Sequence, residues 1–135
     1  MVTGVQTCAL PISASGTSAT ALGDGAQAGG SNSAALGAGS SAAGQSALSA
    51  GNAAIASGQN GVALGTNAWA LGNGASALGL NSIAVNTNSI ALGTSAAAYG
   101  ASSAAFGDRA FAAGQSSLAA GVSSWAGGQI GRAHV

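Results

Sequence analysis

The sequence predicts an all-β chain, a solenoid of the β-roll type in which about fourteen residues form one coil made of two heptad strands. Three observations carry this. A glycine recurs every seventh residue over most of the chain. Small residues two and, from Ala19 onward, four before these glycines alternate with the positions that hold nearly all of the bulky apolar residues. A weaker alternation between successive heptads doubles the period to fourteen.

The glycine ladder comes first. Stepping by seven from Gly93 reaches Gly16, Gly23, Gly30, Gly37, Gly44, Gly51, Gly58, Gly65, Gly72, Gly79, Asn86, Gly100, Gly107, Gly114, Gly121 and Gly128. Sixteen of the seventeen positions are glycine. The exception, Asn86, is the residue type next best able to hold positive φ. No insertion breaks the register. Strict periodicity of this kind also argues against disorder, which the Ala/Gly/Ser-rich composition alone would suggest.

The strands come next. Two residues before the ladder glycine, alanine stands in every repeat except at Ser49, and four before it only Ala, Ser or Gly occurs from Ala19 onward. Of the 20 large apolar residues between Ser13 and Gly128, 18 fall three or one before the glycine, with Leu80 and Val122 outside the pattern. A period of two marks a strand with two different faces. Each heptad therefore reads as a strand of four or five residues at positions −4 to −1. A tight turn follows, built from the ladder glycine and two polar or small residues such as Thr66-Asn67 or Asn73-Gly74. The bulky set, Leu64, Trp69, Leu71, Leu78, Ile83, Val85, Ile90, Leu92, Tyr99, Phe106, Phe111, Leu118 and Trp125, is expected in the core or at an interface. For the aromatic members, packing is a better reading than ligand stacking.

The two ends do not carry the repeat. The segments 7–12 and 130–135 can be encoded by complementary strands of one oligonucleotide. The run 2–12 resembles the translated adapter of a short-read sequencing library. The expected organisation is a non-native flank at 1–12, the repeat region at 13–128, and a second non-native flank at 129–135. Both flanks should lie outside the roll, and the natural protein is expected to extend beyond them. Met1, Cys8, Pro11 and His134, each the only residue of its type, fall in these flanks, as does Arg132. None is read as chemistry, and Cys8 says nothing of redox compartment.

Composition narrows the function classes. Only Asp24, Asp108, Arg109 and Arg132 carry formal charge, and lysine is absent. Such a chain cannot neutralise a phosphate backbone, so nucleic acid is not an expected partner. No apolar run reaches the roughly 20 residues that span a bilayer, and no basic residue precedes an apolar segment as in a signal peptide. The repeat body has no His, Cys, Glu or Lys. Its two carboxylates stand 84 positions apart, and Asp108-Arg109 reads as a solvated turn pair. Acid–base catalysis, metal binding and an activated nucleophile have no candidate residues, and no Gly-Lys-Ser/Thr completes a phosphate loop. An enzyme is not expected, nor any cofactor. A calcium-binding roll needs a nine-residue repeat with an aspartate in each turn, and a hexapeptide helix needs a period of six. Neither fits.

The phrases 81–86 (Asn-Ser-Ile-Ala-Val-Asn), 88–93 (Asn-Ser-Ile-Ala-Leu-Gly) and 75–79 (Ala-Ser-Ala-Leu-Gly) point to a family. They resemble the Asn-Ser-Val-Ala-Ile-Gly repeat of YadA-like head domains in trimeric autotransporter adhesins, over about residues 14–128. Departures concentrate in 14–60, where Ala and Ser often replace the bulky members. The resemblance implies a left-handed parallel β-roll that associates as a homotrimer. It implies display on the bacterial cell surface, attached to the outer membrane through regions outside this sequence, and attachment to host extracellular matrix or other cells. No membrane contact by this segment is implied. Two other functions remain open: an ice- or crystal-binding solenoid, and a purely structural spacer in a surface fibre. The residue after each ladder glycine varies too much to favour a lattice match. One roll has two flat faces and cannot cover both itself, which agrees with oligomerisation.

Overall fold

The computed structural model describes residues 11–128 and the backbone of 132–134. In chain order the strands are β1 (Ser13–Ala14), β2 (Thr20–Leu22), β3 (Gln27–Ala28), β4 (Ala34–Leu36), β5 (Ser41–Ala42), β6 (Leu48–Ala50), β7 (Ile55–Ala56), β8 (Val62–Leu64) and β9 (Trp69–Ala70). There follow β10 (Ser76–Leu78), β11 (Ile83–Ala84), β12 (Ile90–Leu92), β13 (Ala97–Ala98), β14 (Ala104–Phe106), β15 (Phe111–Ala112), β16 (Leu118–Ala120), β17 (Trp125–Ala126) and β18 (Arg132–His134).

Odd-numbered strands form one nine-stranded parallel sheet and even-numbered strands a second. Every pairing is between residues fourteen apart, as in Ile83 with Trp69 or Leu92 with Leu78. The result is a parallel β-solenoid of about eight coils, with one strand of each sheet per coil. The odd strands have two residues each and make a narrow sheet. The even strands have three and make a wide one.

These strands are shorter than the four or five residues expected, and the reason lies in the turn. The residue at −4 is the last residue of the preceding turn. Its N–H closes back on the ladder carbonyl three residues earlier, as in Ser89 N–H to Asn86 O (3.1 Å). The third residue of each turn holds positive φ, for example Asn88 (57°), Ser95 (57°) and Arg109 (57°), the sign a type II turn requires there. Turns also stack on one another, with Asn88 N–H donating to Asn73 O at 2.9 Å in the preceding coil. The backbone ladder thus continues around the corners.

The ladder glycines fall into two kinds. Gly93, leaving the wide sheet, holds φ +133°. Gly100, leaving the narrow sheet, does not have positive φ, but a Cβ there would lie 2.0 Å from the Gly114 carbonyl oxygen. Close stacking of coils is therefore what both kinds share. Asn86 belongs with Gly100 and stands outside the positive-φ residues. Its side-chain Nδ2 donates to the Tyr99 carbonyl. Positive φ is not what selects asparagine at this step, contrary to the expectation.

The interior corrects the core half of the expectation that the bulky set lies in the core or at an interface. Alternation of two faces is present, but the face turned inward is the small one. Ala84, Ala91, Ala98 and Ala105 are fully buried, as are Ser82, Ser89 and Ser40. The bulky residues point away from the interior: Trp69, Leu71, Leu92, Tyr99, Phe106 and Trp125 are exposed. Leu64, Leu78, Ile83, Val85, Ile90, Phe111 and Leu118 are half-buried. None of the thirteen is core within this chain. Each corner is crossed by a three-residue turn, so the two sheets lie too close for anything larger than a methyl or hydroxymethyl group between them.

Buried serines need hydrogen-bond partners, and the turn supplies one. Ser33 Oγ donates to Gly30 O (2.6 Å), Ser89 Oγ to Asn86 O (2.7 Å) and Ser117 Oγ to Gly114 O (2.7 Å). Ser49, which occupies the alanine position, has a buried Oγ with no partner.

The expectation that both flanks lie outside the roll also needs correction. Residues 1–10, 129–131 and 135 are outside the described residues. Ile12, however, is packed against the core. The backbone of Arg132–His134 pairs in parallel with Leu118–Ala120 in the same fourteen-residue register. A sheet edge offers free N–H and C=O groups to any extended chain, so this pairing does not require the side-chain pattern of the repeat.

Candidate functional site: the outer faces and corners of the roll

What the coil displays follows from the heptad. Positions −3 and −1 project from the sheets, and identical heptad positions stack in columns because every strand pairs fourteen residues away. On the wide sheet, Leu64, Leu78, Leu92 and Phe106 are consecutive register partners. Ile90 and Leu118 belong to the neighbouring column, with Ala104 between them. On the narrow sheet, Ile55, Trp69, Ile83, Ala97, Phe111 and Trp125 run in one column. Leu71, Val85 and Tyr99 stand beside it, one residue beyond their strands. The Tyr99 and Phe111 rings meet at 5.3 Å with their planes tilted by 40°, a separation favourable for aromatic pairs.

The two faces differ along the rod. The wide sheet carries bulky apolar residues from Leu22 and Leu36 through Phe106 and Leu118. The narrow sheet begins with Ser13, Gln27 and Ser41 and turns apolar only from Ile55 onward. Apolar columns of this length, exposed or half-buried and interrupted by alanines, give each face an extended apolar surface.

The corners differ as well. The corner leading from the narrow to the wide sheet carries neutral amides and hydroxyls. Its side chains bridge successive coils, with Gln59 Nε2 donating to Gln45 Oε1 (2.8 Å) and Gln59 N–H to Asn73 Oδ1 (3.0 Å). The opposite corner holds Asp24, Asp108 and Arg109, every charged side chain among the described residues of the roll. Leu80 and Val122, the two apolar residues outside the heptad pattern, sit there too and are exposed. Sequence reasoning missed this clustering, although the fourteen-residue period contains it. Both charges and strays follow the ladder glycines that leave the wide sheet.

Among the described residues there is no group of three or more His, Cys, Asp or Glu that could hold a metal, and no helix long and apolar enough to cross a membrane. The surface offers shape, apolar columns and repeated neutral hydrogen-bonding groups.

Comparison with known proteins agrees with this geometry. The family model for the YadA head domain repeat matches residues 14–40, 42–68, 69–85 and 86–110, well over half of the chain. Among solved structures, the chain is similar to the collagen-binding domain of the Yersinia adhesin YadA, with 28% sequence identity and a TM-score of 0.83. That match covers 92% of this chain and 69% of the other. No curated protein matches by sequence. The repeat, the two-sheet solenoid and these matches coincide over the same residues, and the chain belongs to the YadA head family.

Proposed function

We propose that this chain is the head segment of a bacterial surface adhesin, assembled from three copies and attaching to host extracellular matrix or cell-surface molecules. The observation that carries the reading is the outward placement of the bulky columns in a member of the YadA head family. A single roll leaves Trp69, Leu92, Phe106 and Trp125 in water. Fully covering a side chain of this size returns about 1.5–3 kcal/mol. Neighbouring copies with the same columns and the same coil spacing are the natural cover. Neither face carries a charge from the described residues, so covering them buries no unpaired ion.

Attachment in this reading is non-catalytic and multivalent. Weak contacts repeat from coil to coil and from subunit to subunit, and their combined strength exceeds that of any one. The solved relative is named for collagen binding, which makes a fibrous matrix protein the first ligand to test. In this reading the assembly is held at the outer membrane by segments outside this sequence.

Two measurements test the proposal. Sedimentation equilibrium of the chain should give three times the mass of one subunit. Binding to immobilised collagen should fall steeply in a monomeric variant. A monomer that binds the matrix as tightly as the native assembly contradicts the multivalent mechanism.

A further inference from the structure

One corner of the roll contains a notch. It has a volume of about 380 Å³, and its walls include Asp24, Gln27 and Asn52, with Pro11 of the flank read as non-native at its edge. The notch opens because the third turn residue is small in three successive coils, at Gly25, Gly39 and Ala53. Further along the same corner the equivalent positions are Asn67 and Asn81, whose side chains occupy the space and bond to each other at 3.2 Å.

Asp24 is the one charged residue lining this notch. Its Oδ1 is buried and has no hydrogen-bond partner. Oδ1 is therefore closed to a guest as well as to water, but Asp24 as a whole is only half-buried, and the described residues hold no cation nearby to offset its charge. Arg109, on the same corner, lies six coils further along, roughly 29 Å at the spacing of stacked strands. Salt at physiological strength screens charges over about 8 Å.

We propose that this notch receives the basic side chain of a protein partner, an alkylammonium or guanidinium group held by the Asp24 carboxylate. Gln27 and Asn52 line the same notch, and their side-chain amides offer neutral acceptors to the same group. A calcium ion needs six to eight oxygen ligands, and one carboxylate beside two amides falls short. An ammonium has three donors and a guanidinium five, which suits one anionic and two neutral acceptors. The inference gives the adhesion reading a chemical preference, yet its test needs neither a matrix protein nor a trimer.

The test is an amide-resolved NMR titration of the chain with Nα-acetyl-lysine methylamide and, separately, with its norleucine counterpart, which lacks the charge. The lysine compound should shift the amides of Asp24, Gly25 and Gly39, and the norleucine compound should not. Asp24→Asn should weaken binding at least tenfold. Asparagine already occupies the equivalent turn position at Asn52, so this variant keeps the fold. Gly39→Asn leaves the carboxylate in place and fills the notch with a residue found at this position in other coils, and it too should abolish the shifts. Asp108→Asn should leave them unchanged. Equal shifts with the norleucine compound, or a native response from both Asp24→Asn and Gly39→Asn, would overturn the assignment.

Discussion

A Cβ placed on Gly93 would lie 2.5 Å from the carbonyl oxygen of Gly107 in the next coil. Real carbon and oxygen atoms do not approach so closely, so the spacing of the coils excludes a side chain at this position. Gly93 also holds φ +133°, a region other residues rarely enter.

Substituting the ladder should therefore cost far more than substituting the turn. Gly93→Val is expected to lose more than the 1–3 kcal/mol attributed to backbone strain alone, because the coils must also separate. Gly74→Ala should cost about 1 kcal/mol. Gly74 holds φ +68°, and Ala53 already adopts the same conformation at φ 55° in another turn. The atom an added Cβ would meet, Asn88 Oδ1 at 2.5 Å, ends a side chain that can turn away. Thermal or urea melts compare the two directly. Equal losses would mean that stacking does not limit the ladder position.

Two serine-to-alanine changes should have opposite signs. The Ser49 hydroxyl is buried without a partner, and alanine fills this position in every other heptad. Ser49→Ala should stabilise the roll by about 1–3 kcal/mol, the penalty of an unsatisfied buried hydroxyl. Ser89 Oγ donates to the Asn86 carbonyl, so Ser89→Ala should destabilise by about 0.5–1.5 kcal/mol. Denaturant midpoints measure both. A destabilised Ser49→Ala would show that its hydroxyl has a partner after all.

Aspartate on the outer face and a large residue in the interior should fail in different ways. Ile90 is half-buried and projects from the wide sheet, whereas Ala91 is fully buried between the sheets. Ile90→Asp should retain the β circular dichroism of the roll and lose assembly, since a covered carboxylate without a partner is unfavourable. Ala91→Leu should lose the roll itself, because overpacking a filled interior costs about 1–3 kcal/mol or more. Circular dichroism and sedimentation separate the outcomes. An Ile90→Asp variant that still assembles places Ile90 outside every interface.

Hydrogen exchange should report the same division. Interior alanines and serines recur with little change along the rod, while the bulky outer residues are dense after Ile55 and sparse before it. In the assembled protein, amides near 83–92 should outlast those near 31–39, and terminal coils should open first. In the monomeric Ile90→Asp variant this difference should largely collapse. A gradient of unchanged size in the monomer would tie stability to the interior and not to the covered faces.

The sequence by itself determined the solenoid, its period and its register. A glycine every seventh residue, with a small residue always two before it, sets the heptad, and the weaker alternation between successive heptads doubles the period to fourteen. It also determined the two-faced strand, because Ile90 and Leu92 alternate with Ser89 and Ala91 at a period of two. Which face lies inside was decided only by the tertiary structure. Alternation is symmetric with respect to inside and outside, and the usual preference for burying large apolar groups points the wrong way here. The separation of the sheets breaks the symmetry, and it is set by the three-residue corners at Asn86–Asn88 and Gly93–Ser95, which leave room for alanine and no room for leucine. The role of each turn position was likewise undecided. Asn88 and Ser95 carry the left-handed backbone, two places after the ladder, while Asn86 and Gly100 answer to contact between coils. That contact joins residues fourteen apart, and it exists only once the coils are stacked.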